Sequence, residues 1–431
     1  MKHLSLLSAI AVAGAFLFSD LSAPAVFSAD SGFEIPKTDD GLPGAGPIRR
    51  YEWFSKLWLK KRTGWSQQVK QDQNAVVFLG DSITQGWTEK FRGHFKGMKK
   101  ANRGISGDTT RGVLIRLRED VLSLNPAAIV LLIGTNDLEE KAEPETIVSN
   151  VELILAELKK HNASMPIILC NVFPSSASKK RPADKIKRIN ELAAAAVKGD
   201  AQITVLDTWR LFANPAGDAK KKEFPDLLHP NPQGYGMWAA ALRPLLATHG
   251  FLETTADTFN VEPGFTSLFN GRDLTGWGFR QKKTLKPLQK FDGQQQSHDG
   301  RYIAIKGRLV VTSPPEGRRI QQLWTTAEFG SDFILKLEFR ATPNADSGVF
   351  IRKPQLQCRD YPLAGPYKEL KKYKPQDWNE MVVRVQDGFA HCSCNGEVLN
   401  AQMKVPASGP IGLEGDRGQM EYRRIRLRKT D

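Results

Sequence analysis

A serine at the end of an apolar run, a histidine three residues after an aspartate, and two loops rich in hydrogen-bond donors are the residue types here that suit acyl transfer. Ser82 lies in "AVVFLGDSITQGW", where the apolar run stops at Gly80-Asp81-Ser82. A serine hydroxyl attacks an ester only when a base takes its proton, an acid holds that base, and donors receive the charge on the carbonyl oxygen. At the start of a helix the backbone N–H of Ser82 is free to be one of those donors. In "EFPDLLHPNPQGYG", Asp226 and His229 are three apart. One turn of chain at that spacing brings the carboxylate to one imidazole nitrogen and leaves the other for Ser82. Asn231 suits the cap of the helix that follows, with Pro232 at its first position. The competing role for Asp226 and His229 is that of cap and turn residues.

The further donors come from "NRGISGDTTRG" and "IGTNDLEE". Gly107 has no side chain to keep a ligand away from its N–H, and Asn136 offers a side-chain amide directly after a strongly apolar run. Alternatively, they are a turn glycine and a helix cap. Asp108, Arg111 and Asp137 are expected to support these loops as caps or ion-pair partners.

The elements that must position these residues follow from periodicity. "AVVFLG", "AAIVLLIG", "MPIILCNV" and "QITVLD" read as buried strands. The longer amphipathic stretches "TTRGVLIRLREDVLSL", "PETIVSNVELILAELKKH", "ADKIKRINELAAAAV" and "PQGYGMWAAALRPLL" read as helices. Continuous apolar strands alternating with helices predict a three-layer α/β fold with a parallel, flavodoxin-like sheet. In such a sheet ligands bind outside the carboxyl ends of the strands, the edge that carries Ser82. Upstream, "PIRRYEWFSKLWLKKRTGW" predicts an amphipathic helix begun by Pro47, its aromatic side packed on the sheet domain.

Near residue 255 the pattern changes to short alternating runs such as "YIAIKGRLVVT", "DFILKLEFRA" and "NEMVVRVQDG", which predict an all-β sandwich. The expected order is a signal peptide over 1–29, an arm over 30–74, the α/β domain over 75–250, a linker over 251–263 and the sandwich over 264–431. At 431 residues, two domains are the natural division. The start "MKHLSLLSAIAVAGAFLFSD" has the basic-then-apolar form of a secretory signal, with cleavage after Ala25 or Ala29, so a secreted or periplasmic location is expected.

The net charge is +14, unchanged without residues 1–29 because Lys2 and Asp20 cancel. A basic surface suits acidic substrates such as sulfated or uronic-acid polysaccharides. The cations are nonetheless spread in small clusters, Lys159-Lys160, Lys179 to Arg181 and Lys220 to Lys222, and no nucleic-acid module accompanies them. Arg424, Arg426 and Arg428 alternate with Ile425 and Leu427, giving one basic and one buried strand face. Of the four cysteines, Cys358 has Cys392 or Cys394 as an expected disulfide partner if exported, and Cys170 is the fourth. In "HCSC", alternation puts Cys392 and Cys394 on one face and His391 on the other, a pattern that argues against a metal site. No cofactor, metal, nucleic acid or stable membrane insertion is expected; a homo-oligomer stays open.

"GDSIT", "NRGISGD", "GTND" and "DLLH", in this order and spacing, resemble the four sequence blocks of the SGNH (GDSL) hydrolases. "GISGDTTRGVLIRL" and "DLLHPNPQGY" look most like the catalytic subunits of platelet-activating-factor acetylhydrolase and their bacterial relatives. The resemblance implies Ser82 as nucleophile, His229 as base, Asp226 as acid, and the Ser82 amide, Gly107 and Asn136 as the oxyanion hole. The G-x-S-x-G elbow of α/β-hydrolases is excluded, since Thr84 stands where its second glycine would be. "GFTSLFNGRDLTGWG", "LKLEFRATPNADSGVFIR", "WNEMVVRV" and "GPIGLEGDRGQMEYRRIRLR" resemble the 3-keto-disaccharide hydrolase domain, a concanavalin-like sandwich. Relatives carry an acidic residue in a Glu-x-Gln segment where this chain has Gln355 in "PQLQCRDY". Arg352, Gln357, Asp360 and Trp378 are the sandwich's candidate ligand contacts, alongside their reading as ordinary strand and loop surface. The expected function is an exported serine esterase removing acetyl or other short acyl groups from small-molecule or polysaccharide esters. The alternatives are a lipid or lysophospholipid acyl esterase, and a protein that binds glycans or hydrolyses 3-keto-glycosides through its sandwich.

Overall fold

The computed structural model describes residues 32–88, 91–312 and 321–430; the expected signal segment lies outside them. Strands β1 (Val76–Gly80), β2 (Lys100–Gly104), β3 (Ala128–Leu132), β4 (Ile167–Cys170) and β5 (Ile203–Leu206) form a five-stranded parallel sheet in the order β2-β1-β3-β4-β5. β1 and β3 are buried at every position, as a sheet covered by helices on both faces requires. One core packs Phe78, Val130 and Ile168 against Trp87 and Trp238; another packs Val77, Ile129 and Leu131 against Val113, Ile154 and Leu158. Successive strands are added to one side of β1 at β2 and to the other from β3 onward, so the ends of β1 and β3 flank the topological switch point where this fold leaves a crevice.

Sequence and structure differ in two elements of this part. β2 is a fifth strand that the apolar pattern does not announce, because Lys100 and Asn102 are only half-buried along an edge strand. The arm helix spans Glu52–Ser66 and does not begin at Pro47. Ahead of it the side chain of Arg49 is drawn to Glu139 and Glu140, and that of Arg50 to Asp39. Phe54, Trp58 and Trp65 are buried with Ile105, so the aromatic side packs on the sheet domain as expected.

The C-terminal part is antiparallel in every strand pairing described, with one eight-stranded and one six-stranded sheet. Their inner faces share a core that includes Leu335, Leu337 and Val383 from one sheet and Val349, Leu413 and Leu323 from the other. Cys170, Cys358, Cys392 and Cys394 are all free thiols and buried, so the expected disulfide is not formed. Cys392 and Cys394 face the core while His391 is exposed, as the alternation predicts.

The basic strand face is covered at Arg424 and Arg426, while Arg428 stays exposed. Asp257 and Glu262, just before the sandwich, pair with Arg424 and Arg426, and the rings of Phe259 and Phe265 lie against Arg424 and Arg428. Glu253 is held by Arg308 and Arg340, which also share the fully buried Glu421. Arg308 donates to the Ala247 carbonyl at 3.2 Å, Gln419 to Thr248 at 2.9 Å and Asn344 to Asp207 at 2.9 Å. These bonds fasten the sandwich to the α/β domain.

Candidate active site

β1 ends at Gly80, and a four-residue helix, Ser82–Gln85, starts at once. Only glycine fits at position 80, since a Cβ there would lie 2.2 Å from the Leu132 carbonyl and 2.4 Å from the Thr84 hydroxyl. Asp81 caps the helix by accepting from the Ile83 N–H at 2.9 Å. Ser82 therefore occupies the first helical turn, where its own N–H has no intrahelical acceptor.

His229 Nε2 lies 3.0 Å from Ser82 Oγ, and His229 Nδ1 lies 2.7 Å from Asp226 Oδ2. The loop that brings them there is bent at Leu227, whose φ of 63° is left-handed for a branched residue. The bend lets Asp226 Oδ1 accept from the N–H groups of Leu228 at 3.0 Å and His229 at 2.7 Å. Burial alone pushes the Asp226 carboxyl up, but the bonds from the His229 backbone and ring and the Leu228 backbone outweigh it and hold it below the usual range. Asn231 accepts from Gly234 N–H at 3.0 Å and caps the helix Pro232–Thr248, as the sequence predicts.

Gly107 and Asn136 line the same cleft as Ser82 and His229, a space of about 320 Å³. The Asn136 amide is oriented at both atoms. Its Nδ2 donates to the Asp108 carbonyl at 2.9 Å, and its Oδ1 accepts from Arg181 at 2.8 Å. Gly107 has a left-handed φ of 89° that favours glycine, and a Cβ there would stand 2.6 Å from the Trp53 ring, so the arm helix packs on this loop.

Below the cleft sits a layer of buried charge. Arg116, wholly buried, pairs with Asp108 at 2.8 Å and donates to the Gly80 and Arg103 carbonyls. It thus ties the end of β1 to the loop that carries Gly107. Asp137 accepts from the Thr110 N–H and hydroxyl, and Arg111 pairs with Asp39, so the three supporting residues take cap and ion-pair roles. Burial pushes Asp81 up to about 7 and Asp108 and Asp137 up to about 6, against the pull of Arg116 on Asp108 and of Thr110 on Asp137. Arg116, Arg181 and Gln85, whose Oε1 accepts from Ser106 N–H at 2.9 Å, are positioning residues that sequence reasoning did not single out. Arg116 had a signal: it falls between Val113 and Asp120 on the helix face that also carries Leu117.

Residues 78–237 match the model of the GDSL-like lipase/acylhydrolase family. The chain carries a GDSL-like acylhydrolase domain. Platelet-activating factor acetylhydrolase IB subunit alpha2 of Homo sapiens is 28% identical to it over 192 residues, 44% of this chain and 83% of the relative. Subunit alpha1 of Bos taurus is likewise 28% identical over 192 residues, 44% of this chain and 82% of the relative. A solved GDSL-like lipase from Bacteroides thetaiotaomicron is 28% identical, covering 45% of this chain and 97% of its own, with a TM-score of 0.39. Through the acylhydrolase domain the protein is a carboxylic ester hydrolase.

Residues 264–428 match the model of the 3-keto-alpha-glucoside-1,2-lyase-like domain. In contrast to the acylhydrolase domain, its four candidate contacts occupy separate environments. Arg352 is buried and donates to the Pro406 carbonyl at 2.9 Å and to that of Ser331. Asp360 is buried, accepting from Asn344 N–H at 2.9 Å. Trp378 is half-buried, with the guanidinium groups of Arg423 and Arg340 4.0 and 4.7 Å from its ring centroid. Gln357 is half-buried beside Gln355, which donates to Glu414 at 2.8 Å. Glu414 also accepts from Gln322 at 2.7 Å, so a carboxylate does stand beside position 355, contributed by the strand Ile411–Arg417 on the other side of the intervening strand Asp346–Ile351.

Proposed function

We propose that this protein is an exported SGNH-type serine esterase that removes acetyl or other short acyl groups from carbohydrates through a Ser-His-Asp acyl-enzyme. The observation that carries the reading is the relay from Ser82 through His229 to Asp226, with bonds of 3.0 and 2.7 Å at the edge of a parallel sheet. His229 Nε2 takes the Ser82 proton as Oγ attacks the ester carbon. The Ser82 and Gly107 N–H groups and Asn136 Nδ2 receive the oxyanion. The carbonyl re-forms, the alcohol leaves with the proton from His229, and water repeats the cycle on the acyl-enzyme. Asp226 stays ionised and fixes the imidazole.

Short acyl groups are favoured because Trp53 and Leu228 are the large apolar side chains on the cleft wall, which is otherwise polar or charged. The carbohydrate assignment is supported by the attached sandwich, and export by the form of residues 1–29. The relatives' name, an acetylhydrolase of platelet-activating factor, favours a second reading, a lipid or lysophospholipid acyl esterase. Wild type and Ser82→Ala compared on acetylated polysaccharides, p-nitrophenyl esters and phospholipids test both. Ser82→Ala should lower kcat/KM by about 10⁴-fold or more. Activity confined to phospholipids would replace the carbohydrate reading, and retained ester hydrolysis in Ser82→Ala would remove the mechanism.

A further inference from the structure

The rim of the cleft is unlike its floor. Its floor is the relay and the oxyanion donors, whereas its rim is built by the arm and by the turn after β4. The short turn Ala177–Lys179 and the residue after it bring Lys179 and Lys180 to the cleft, with Arg181 beneath them. Two of the rim's cations are already neutralised: Arg49 and Arg181 share Glu139, and Arg49 also holds Glu140 at 2.7 Å. Lys179 and Lys180 have no carboxylate partner among the described residues, and Lys180 is exposed. Against Gly107, Trp53 is 52% exposed and stacks with Tyr51, itself 51% exposed, their rings 11° from parallel. The cleft thus joins an open aromatic surface to two unpaired ammonium groups.

We infer that the alcohol released from the ester is an anionic sugar, one bearing a carboxylate or a sulfate, read by Lys179 and Lys180 while Tyr51 and Trp53 receive the sugar ring. The inference rests on the esterase reading and adds the charge of its substrate. An aromatic face suits the C–H face of a sugar, which is apolar and flat. Ammonium groups beside a cleft raise the local concentration of an anion, an attraction that salt screens. One of the dispersed basic clusters of the sequence thereby gains a role that net charge alone could not assign.

The test uses the full chain with two small esters, 4-acetoxybenzoate and its neutral methyl ester. The ratio of kcat/KM on the anionic to the neutral ester should fall about 10-fold in Lys179→Glu/Lys180→Glu, and should fall in wild type as salt is raised. Acetylated polygalacturonate and acetylated dextran sulfate then separate carboxylate from sulfate, with acetylated dextran as neutral reference. Preference for either polyanion, with KM raised several-fold by Trp53→Ala, supports the inference. Hydrolysis of the neutral methyl ester with a ratio that neither salt nor charge reversal moves overturns it and leaves the esterase standing. Hydrolysis of neither small ester overturns the esterase reading itself.

Discussion

In the parallel sheet, residues spread from Ser82 to His229 meet in one cleft, whereas in the sandwich Arg352, Gln357, Asp360 and Trp378 lie in four separate settings. The reason is topological. A parallel sheet sends every strand end to the same edge, so loops distant in sequence are neighbours there. An antiparallel sandwich sends alternate strand ends to opposite sides, and polar residues on its loops need not converge. Buried charge differs in the same way. Arg116, Asp108 and Arg181 are spent on aiming the cleft, while Arg308, Arg340 and Glu421 fasten the sandwich and its linker to the first domain.

That contrast can be broken most severely at Glu421. Glu421→Ala leaves Arg308 and Arg340 without their shared buried carboxylate and should cost roughly 3–5 kcal/mol of stability. A denaturant midpoint for the sandwich close to wild type would show that this cluster does not hold it. Asn136→Ala is the counterpart in the first domain. It should lower kcat by about 10²–10³-fold with a smaller change in KM, because in the proposed mechanism its donor acts on charge that develops only during reaction. A pure KM effect would make Asn136 a substrate-binding residue.

A smaller effect comes from Asp81, whose carboxyl burial pushes up to about 7. Because the folded form holds its proton more tightly than the unfolded chain, Asp81 favours folding below about pH 4, and that contribution is lost as pH rises toward 7. Asp81→Asn keeps an oxygen to cap Ile83 and removes the titration. The difference in denaturant midpoint between pH 5 and pH 8 should therefore shrink in this variant. An unchanged difference would assign the pH dependence to the other carboxyls that burial pushes up, Asp108, Asp137 and Asp360 among them.

The first domain was legible because its strands announce themselves and its chemistry follows them. "AVVFLG" and "AAIVLLIG" carry Ser82 and Asn136 at their ends, and capping residues place Asp226 and His229 before a helix. β2 was not legible, since an edge strand needs no continuous apolar run. Arg181 was equally hidden. It sits in a loop without periodicity, and its partner Asn136 is 45 residues away. In the sandwich, alternation marked the strands but said nothing about which polar side chains find partners within the chain. Arg424 and Arg426 looked like an open basic face because Asp257 and Glu262, which cover them, lie more than 160 residues earlier, separated by 167 and 164 residues.

The most direct measurement is a fluorophosphonate reaction with the full chain, followed by mass-spectrometric mapping of the adduct. A single phosphonylated site at Ser82 is expected, with labelling lost or greatly slowed in His229→Ala. A folded protein that takes no label, or takes it on another serine while Ser82 stays unmodified, would contradict the assignment of Ser82 as nucleophile.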